Sequence, residues 1–135
     1  MCGIAGIMYK RRGADAAVGE ALIAMLDGCQ HRGPDSTGFA LYHGTEPGLF
    51  RLRAFVDGAA ESRAEIKRHL GDFQAEIVSE DNIGSSYCVC FRFAGDVQQL
   101  AYALEQSATV VSLGESLNII KDVGSARDVD KAYRV

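Results

Sequence analysis

No stretch of this sequence stays apolar for the ~20 residues a membrane-spanning helix needs. The start lacks the signal-peptide order of charge, apolar run and cleavage site. Charge of one sign is not in excess either. Fourteen Lys and Arg against 18 Asp and Glu leave a formal net charge of -4, which is no basic footprint for a nucleic acid. The densest basic cluster, Lys10-Arg11-Arg12, reads as a solvated turn. Cysteine occurs only at positions 2, 29, 88 and 90, without the disulfide-dense spacing of secreted domains. These shortages point to a cytoplasmic protein with no membrane and no nucleic acid partner. A Cys-x-x-Cys pair is also missing. Cys88 and Cys90 are read as sheet-face or core residues, and no metal is expected. Proline occurs twice, and no internal repeat or low-complexity linker is visible. What is present is an ordinary globular mixture, 47% hydrophobic and 24% charged over 135 residues. That suffices for one core, or one core with a small subdomain.

The most informative stretch is Met1-Cys2-Gly3-Ile4-Ala5-Gly6-Ile7. Removal of Met1, which a small second side chain permits, would leave Cys2 carrying both a thiol and a free α-amine. Their ordinary pKa values, near ~8.5 and ~8, make them a nucleophile and a mild base on one residue. This is the arrangement of N-terminal nucleophiles, in which the chain's own amine activates the side chain. Gly3 leaves room for close approach to the backbone. The alternative is that Met1 stays and Cys2 is a small apolar residue, as free cysteines usually are.

Taken in order, residues 4–9 read as a buried strand and Asp15 to Cys29 as an amphipathic helix, with Val18, Leu22, Met25, Leu26 and Cys29 on one stripe. Gln30 to Gly38 is a loop, Phe39 to Tyr42 a strand, and His43 to Gly48 a hairpin loop. Then follow a strand from Leu49 to Val56 and a helix from Asp57 to Leu70. A weaker strand covers Phe73 to Ser79, with a turn at Asp81, Asn82 and Gly84. Ser86 to Phe93 alternates strictly as a strand, Asp96 caps a helix, and Ala108 to Leu113 is a strand. That order, β-α-β-β-α-β, is the ferredoxin-like or split βαβ module. Leu117 to Lys121 is a further strand. Ser125 to Asp128 has capping-box spacing for a last helix. The chain reaches Val135 with no Gly or Pro stop signal, as an incomplete domain would.

The start of the chain, together with His31-Arg32-Gly33-Pro34-Asp35-Ser36-Thr37-Gly38, resembles a class II glutamine amidotransferase domain. The direct match covers roughly residues 1–44. The segment Ile119-Ile120-Lys121-Asp122-Val123-Gly124, with the insertion before it, resembles the amidotransferase subunit of the N-methylglutamate synthase and glutamate-synthase-like group. The resemblance implies an α+β fold, the N-terminal portion of an αββα N-terminal-nucleophile sandwich with an inserted ferredoxin-like βαββαβ module. Residues 1–48 would form the N-terminal layer, 49–113 the insert, and 114–135 the return segment. It also implies that Cys2 attacks the glutamine side-chain amide. The α-amine would relay the proton to the departing ammonia, and water would release glutamate from a thioester. Arg32, Gly33 and Asp35 would belong to the loop beside the nucleophile, as support more than as chemistry. No cofactor is implied, and the ammonia would go to a synthase subunit or domain.

The family's Arg-x-Ala-Thr-like carboxylate clamp is missing, and so is its Asn-Gly oxyanion pair. Asn82 precedes Ile83 and Asn118 precedes Ile119. Loss of an oxyanion donor costs on the order of a hundredfold or more. The 135 residues alone are therefore expected to have little or no glutaminase activity. The competing reading is an amidotransferase-like module that acts in binding or regulation.

Overall fold

The computed structural model describes residues 3–10, 18–33, 35–56 and 60–135. Its elements are α1 (Val18–Cys29), a 3-10 turn (Gln30–Arg32), β1 (Ser36–Tyr42), β2 (Leu49–Phe55), α2 (Ala60–Asp72), β3 (Glu76–Ile83), β4 (Ser86–Arg92), α3 (Val97–Glu105), β5 (Thr109–Gly114), β6 (Leu117–Val123) and α4 (Ala126–Tyr133). The architecture is mixed α and β, with four α-helices and two sheets among the described residues. The chain forms two compact units, Met1–Phe39 with Lys121–Val135, and Ala40–Ile120.

In the unit 40–120 the alternation of apolar residues sets the sheet. Strand order is β3-β4-β2-β5, and every pairing is antiparallel. The register places Phe50 opposite Phe91, Leu52 opposite Val89 and Ala54 opposite Tyr87, which puts one apolar face on both central strands. Ile66 and Leu70 of α2 and Leu100 and Leu104 of α3 are fully buried in the same core. Phe50, Phe73, Phe91 and Phe93 meet at ring-centroid distances of 5.9 to 6.5 Å, the range of favourable aromatic packing. Asp96 starts α3 by accepting hydrogen bonds from the backbone N–H groups of Gln98 and Gln99.

Several boundaries move from their sequence positions for local reasons. The helix α2 closes through Gln74, which takes φ 59°. The Ala75 N–H donates to the Leu70 carbonyl and the Gln74 N–H to the Gly71 carbonyl. This is a Schellman-type stop, and it delays β3 to Glu76. Asp81 and Asn82 stay inside β3, and the turn is the pair Gly84-Ser85, with Gly84 at φ 59°. The segment 43–48 does not join a hairpin, because β2 pairs with β4 and β5 while β1 pairs with β6. Arg53, on the face of β2 away from the helices, is 5% exposed. The connection from β5 to β6 accounts for this. Asn118 Oδ1 accepts from Arg53 Nε at 3.1 Å, and the Glu115 carbonyl accepts from Arg51 Nη1 at 3.0 Å.

In the unit built from Met1–Phe39 and Lys121–Val135, α1 packs on α4. Ile23, Phe39, Ala126, Val129 and Tyr133 are its buried apolar residues. The α4 contribution falls at i, i+3 and i+7, one helix face. The expected strand over residues 4–9 is not formed. These residues carry no regular structure, and Ile4 and Met8 are 92% and 89% exposed. An apolar run becomes a strand only when another strand takes up its backbone groups, and none does so among the described residues.

Leu100→Ala should lower the unfolding free energy by about 2–5 kcal/mol, the usual cost of emptying a closed core site. Denaturant unfolding measures this directly. A loss below ~1 kcal/mol would mean that α3 does not close this core.

Candidate functional site

Cys2 and Pro34 lie outside the described residues. Gly3 follows Cys2 in the chain and runs against the end of α1. A Cβ placed on it would lie 2.8 Å from the Cys29 Cβ and 3.2 Å from the Cys29 carbonyl oxygen. Non-bonded carbons do not approach that closely, so any larger residue must push α1 or the chain start aside.

Beside this contact is a cleft of about 290 Å³. Gly3, Leu26 and Cys29 form one part of its wall. Gln30, Arg32, Gly33 and the run from Asp35 to Gly38 form the rest. Gly3 of the first resembling stretch and Arg32, Gly33 and Asp35 to Gly38 of the second thus line one cavity. Ser36 to Gly38, expected in the loop, belong to β1. Arg32 and Asp35 bring one charge of each sign to the wall, and no ion pair joins them among the described residues.

The loop is fixed by other groups. The Gly33 N–H donates to the Gln30 carbonyl at 3.2 Å, which closes the 3-10 turn. The Asp35 carbonyl accepts from the Gly124 N–H at 3.2 Å. The buried Thr37 hydroxyl donates to the Gly124 carbonyl at 2.8 Å. Gly124 is thereby bonded on both sides of its residue, and its φ of +121° is one that side chains rarely adopt. A Cβ there would also lie 3.2 Å from the Asp128 Cβ.

Asp128 belongs to the capping box that starts α4. Ser125 Oγ accepts from the Asp128 N–H, and Asp128 Oδ2 accepts from the Ser125 N–H at 3.0 Å. The Ser125 hydroxyl also donates to Asp128 Oδ2 at 2.6 Å. These bonds from Ser125, side chain first and backbone second, hold the Asp128 carboxyl below its ordinary 3.8. Along the same unit, Tyr133 donates its hydroxyl to Asp122 and Arg127 pairs with Asp27 of α1 at 2.6 Å. Thr37 and Gly124, members of the resembling stretches, and Asp128 of the helix start are therefore supporting residues whose role the sequence did not single out. The Ser125–Asp128 spacing announced a helix start, but not that the residue before it would hold the Asp35 carbonyl and the Thr37 hydroxyl.

Neither asparagine belongs to this cleft. Asn118 accepts from Arg53, and Asn82 Oδ1 accepts from Arg63 Nη1 at 3.0 Å. Cys88 and Cys90 lie on β4 opposite Arg53 and Arg51, and burial pushes the Cys88 thiol pKa up, away from a reactive thiolate. Among the described residues no group of three or more His, Cys, Asp or Glu is placed to hold a metal ion. No helix among them is long and apolar enough to cross a membrane.

No family model matches the chain. It is 28% identical over 138 residues to the glutamine amidotransferase-like protein GlxB of Rhizobium meliloti, an alignment covering 100% of this chain and 45% of that protein. It is 29% identical over 150 residues to a provisionally named glutamine amidotransferase of Methanothermobacter thermautotrophicus, covering 98% of this chain and 47% of that protein. The chain spans about half the length of these relatives. The similarities support a relationship to the glutamine amidotransferases.

The capping box makes stability depend on pH. The folded-state pKa of Asp128 is below the unfolded one, so its contribution is full above about pH 4 and is lost as pH falls through the folded value. Unfolding curves of wild type and Asp128→Ala from pH 7 downward should differ most at neutral pH and converge in acid. A gap that stays constant down to pH ~2 would remove the carboxylate from this role.

Proposed function

We propose that this chain carries the nucleophile-bearing portion of a class II glutamine amidotransferase, with Cys2 as the N-terminal nucleophile. The observation that carries this reading is the cleft lined by Gly3 and by the described residues from Arg32 to Gly38. Two stretches that resemble one family on separate grounds, about thirty residues apart in sequence, supply its wall. The alignments to the two amidotransferase-named relatives point the same way.

The chemistry follows from the residue types. The Cys2 thiol adds to the side-chain amide carbon of glutamine, and its proton passes by way of the α-amine to the leaving nitrogen. Ammonia departs, a γ-glutamyl thioester remains, and water attacks it to release glutamate and the free thiol. Arg32, Gly33 and Asp35 act as the supporting loop, with Thr37 and Gly124 as its anchors. A synthase subunit or domain is the fitting recipient of the ammonia.

The same proposal reads the fold as part of an N-terminal-nucleophile sandwich. Residues 1–48 and 114–135 would belong to the sandwich, with 49–113 as an inserted ferredoxin-like module. Support for the insert comes from the strand order β3-β4-β2-β5 and from α2 and α3 sharing one core. The compact unit Ala40–Ile120 is wider than that insert, because it also takes in the end of β1 and the start of β6.

A second reading, an amidotransferase-like module that binds without turnover, is favoured by one observation. Neither asparagine is among the residues that line the cleft, and each side-chain oxygen accepts from an arginine, Asn118 from Arg53 and Asn82 from Arg63. The intact mass of the purified chain, before and after a glutamine-like diazoketone, separates the two. Loss of Met1 and one adduct mapped to Cys2, abolished in Cys2→Ser, is the expected result. Retained Met1, or adducts shared among Cys29, Cys88 and Cys90, would sink the nucleophile assignment.

A further inference from the structure

A second cleft, of about 480 Å³, lies within the unit 40–120, between α2 and the β3–β4 hairpin. Its size falls within the range of small-molecule sites. From α2 it receives Ala60, Arg63, Ala64 and Lys67, the i, i+3, i+4, i+7 stripe of one helix face. The two alanines leave open space, and the two long side chains bring cations to its edge. The opposite wall comes from Glu80, Asp81 and Asn82 of β3 and from Tyr87 of β4.

The polar groups here are held in place. Glu80 forms an ion pair with Lys67 at 2.7 Å and accepts the Tyr87 hydroxyl at 2.5 Å. Tyr87 is 1% exposed, so its hydroxyl approaches the cleft from the core and fixes the Glu80 carboxylate from behind. The hydrogen bonds from Lys67 and Tyr87 keep Glu80 ionised, with its pKa lowered. Burial, reinforced by Glu80, raises the Tyr87 pKa, so the hydroxyl remains a donor. Arg63 gives one N–H to Asn82 Oδ1. A guanidinium has five N–H donors, and an amide whose oxygen accepts still has its NH2 group to offer.

We infer that this cleft binds a small α-amino acid, its carboxylate received by Arg63 and the Asn82 amide and its ammonium by Glu80. The charge balance selects that class. Arg63 and Lys67 from α2 and the Glu80 carboxylate from β3 bring both signs of charge to the same face, so a zwitterion is matched at both ends, while Asp81, opposite Cys88, alternates to the other face of the sheet. A simple anion such as phosphate would meet the Glu80 carboxylate as well as Arg63. The side chain of the amino acid would lie over Ala60 and Ala64. This inference does not rest on the glutaminase reading, since it uses none of the residues around Gly3 or Thr37.

The test is titration of the full chain with L-glutamine, L-glutamate, L-alanine and inorganic phosphate, followed by amide chemical shifts in NMR. Saturable binding of one or more of the amino acids is expected. Its shifts should centre on Ala60, Ala64 and the Asn82 side-chain amide. Arg63→Ala and, as a milder change on the exposed strand, Asn82→Asp should each weaken it by roughly tenfold or more. Arg68→Ala, which removes the exposed pair with Asp72 and the contact with the His69 ring, should leave it unchanged. Shifts confined to Gly33 and Gly38 would assign amino acid binding to the first cleft and overturn the inference. So would phosphate binding without amino acid binding, or no saturable shift with any ligand.

Discussion

The candidate site depends on the conformation of one residue, Gly124. At φ +121° it turns the chain from β6 into α4, and this orientation presents its N–H to the Asp35 carbonyl and its own carbonyl to Thr37. A β-carbon would be costly twice, through the φ value and through the Asp128 contact. Asp128 is itself required, because the α4 capping box uses its carboxylate. The wall of the cleft is therefore tied to the start of a helix almost ninety residues further along the chain. That helix is held in turn by burying Ala126, Val129 and Tyr133. The link from sequence to site runs through a turn and a cap rather than through the cleft residues themselves.

The unit 40–120 is governed by a different constraint, the burial of a cation. Burying Arg53 is tolerable only if its guanidinium keeps polar partners, and Asn118 on β6 is one of them. Glu115 adds two bonds, its carbonyl accepting from Arg51 and its carboxylate from the Gly48 N–H. Ser112 Oγ accepts from the Ile119 N–H. The β5–β6 connection is thus fastened to one face of the sheet by polar contacts, while α2 and α3 are fastened to the other by apolar ones. This explains why β2 alternates between Leu and Arg without either face being simply solvated.

The apolar half of that design was legible from sequence. Strict alternation in Tyr87, Val89, Phe91 and Phe93 and the stripe Leu100, Leu104 follow from period alone, and the Asp96 and Ser125 caps follow from side-chain chemistry. Strand ends were less legible. The β3 start depends on where α2 closes, and nothing in Gln74 announces a left-handed conformation. The burial of Arg53 was not legible, because its partner is 65 residues away. The run Ile4 to Tyr9 has the right composition for a strand, but composition cannot supply the neighbour that a strand requires. In the site, Thr37 and Gly124 were legible as members of the stretches that carry the resemblance, but their role as anchors was not. Their role arises from one side-chain and one backbone hydrogen bond at Gly124, with no sequence signature of their own.

The same bonds limit the chemistry under the proposed reading. A tetrahedral intermediate at a thiol nucleophile needs donors aimed at its oxyanion. Among the cleft residues, the Gly33 N–H is committed to Gln30, and the Gly124 N–H behind the loop is committed to Asp35. Thr37 spends its hydroxyl on Gly124. These groups cannot both hold the loop and stabilise a developing charge without giving up one partner. The bonds that fix the loop already use these three donors.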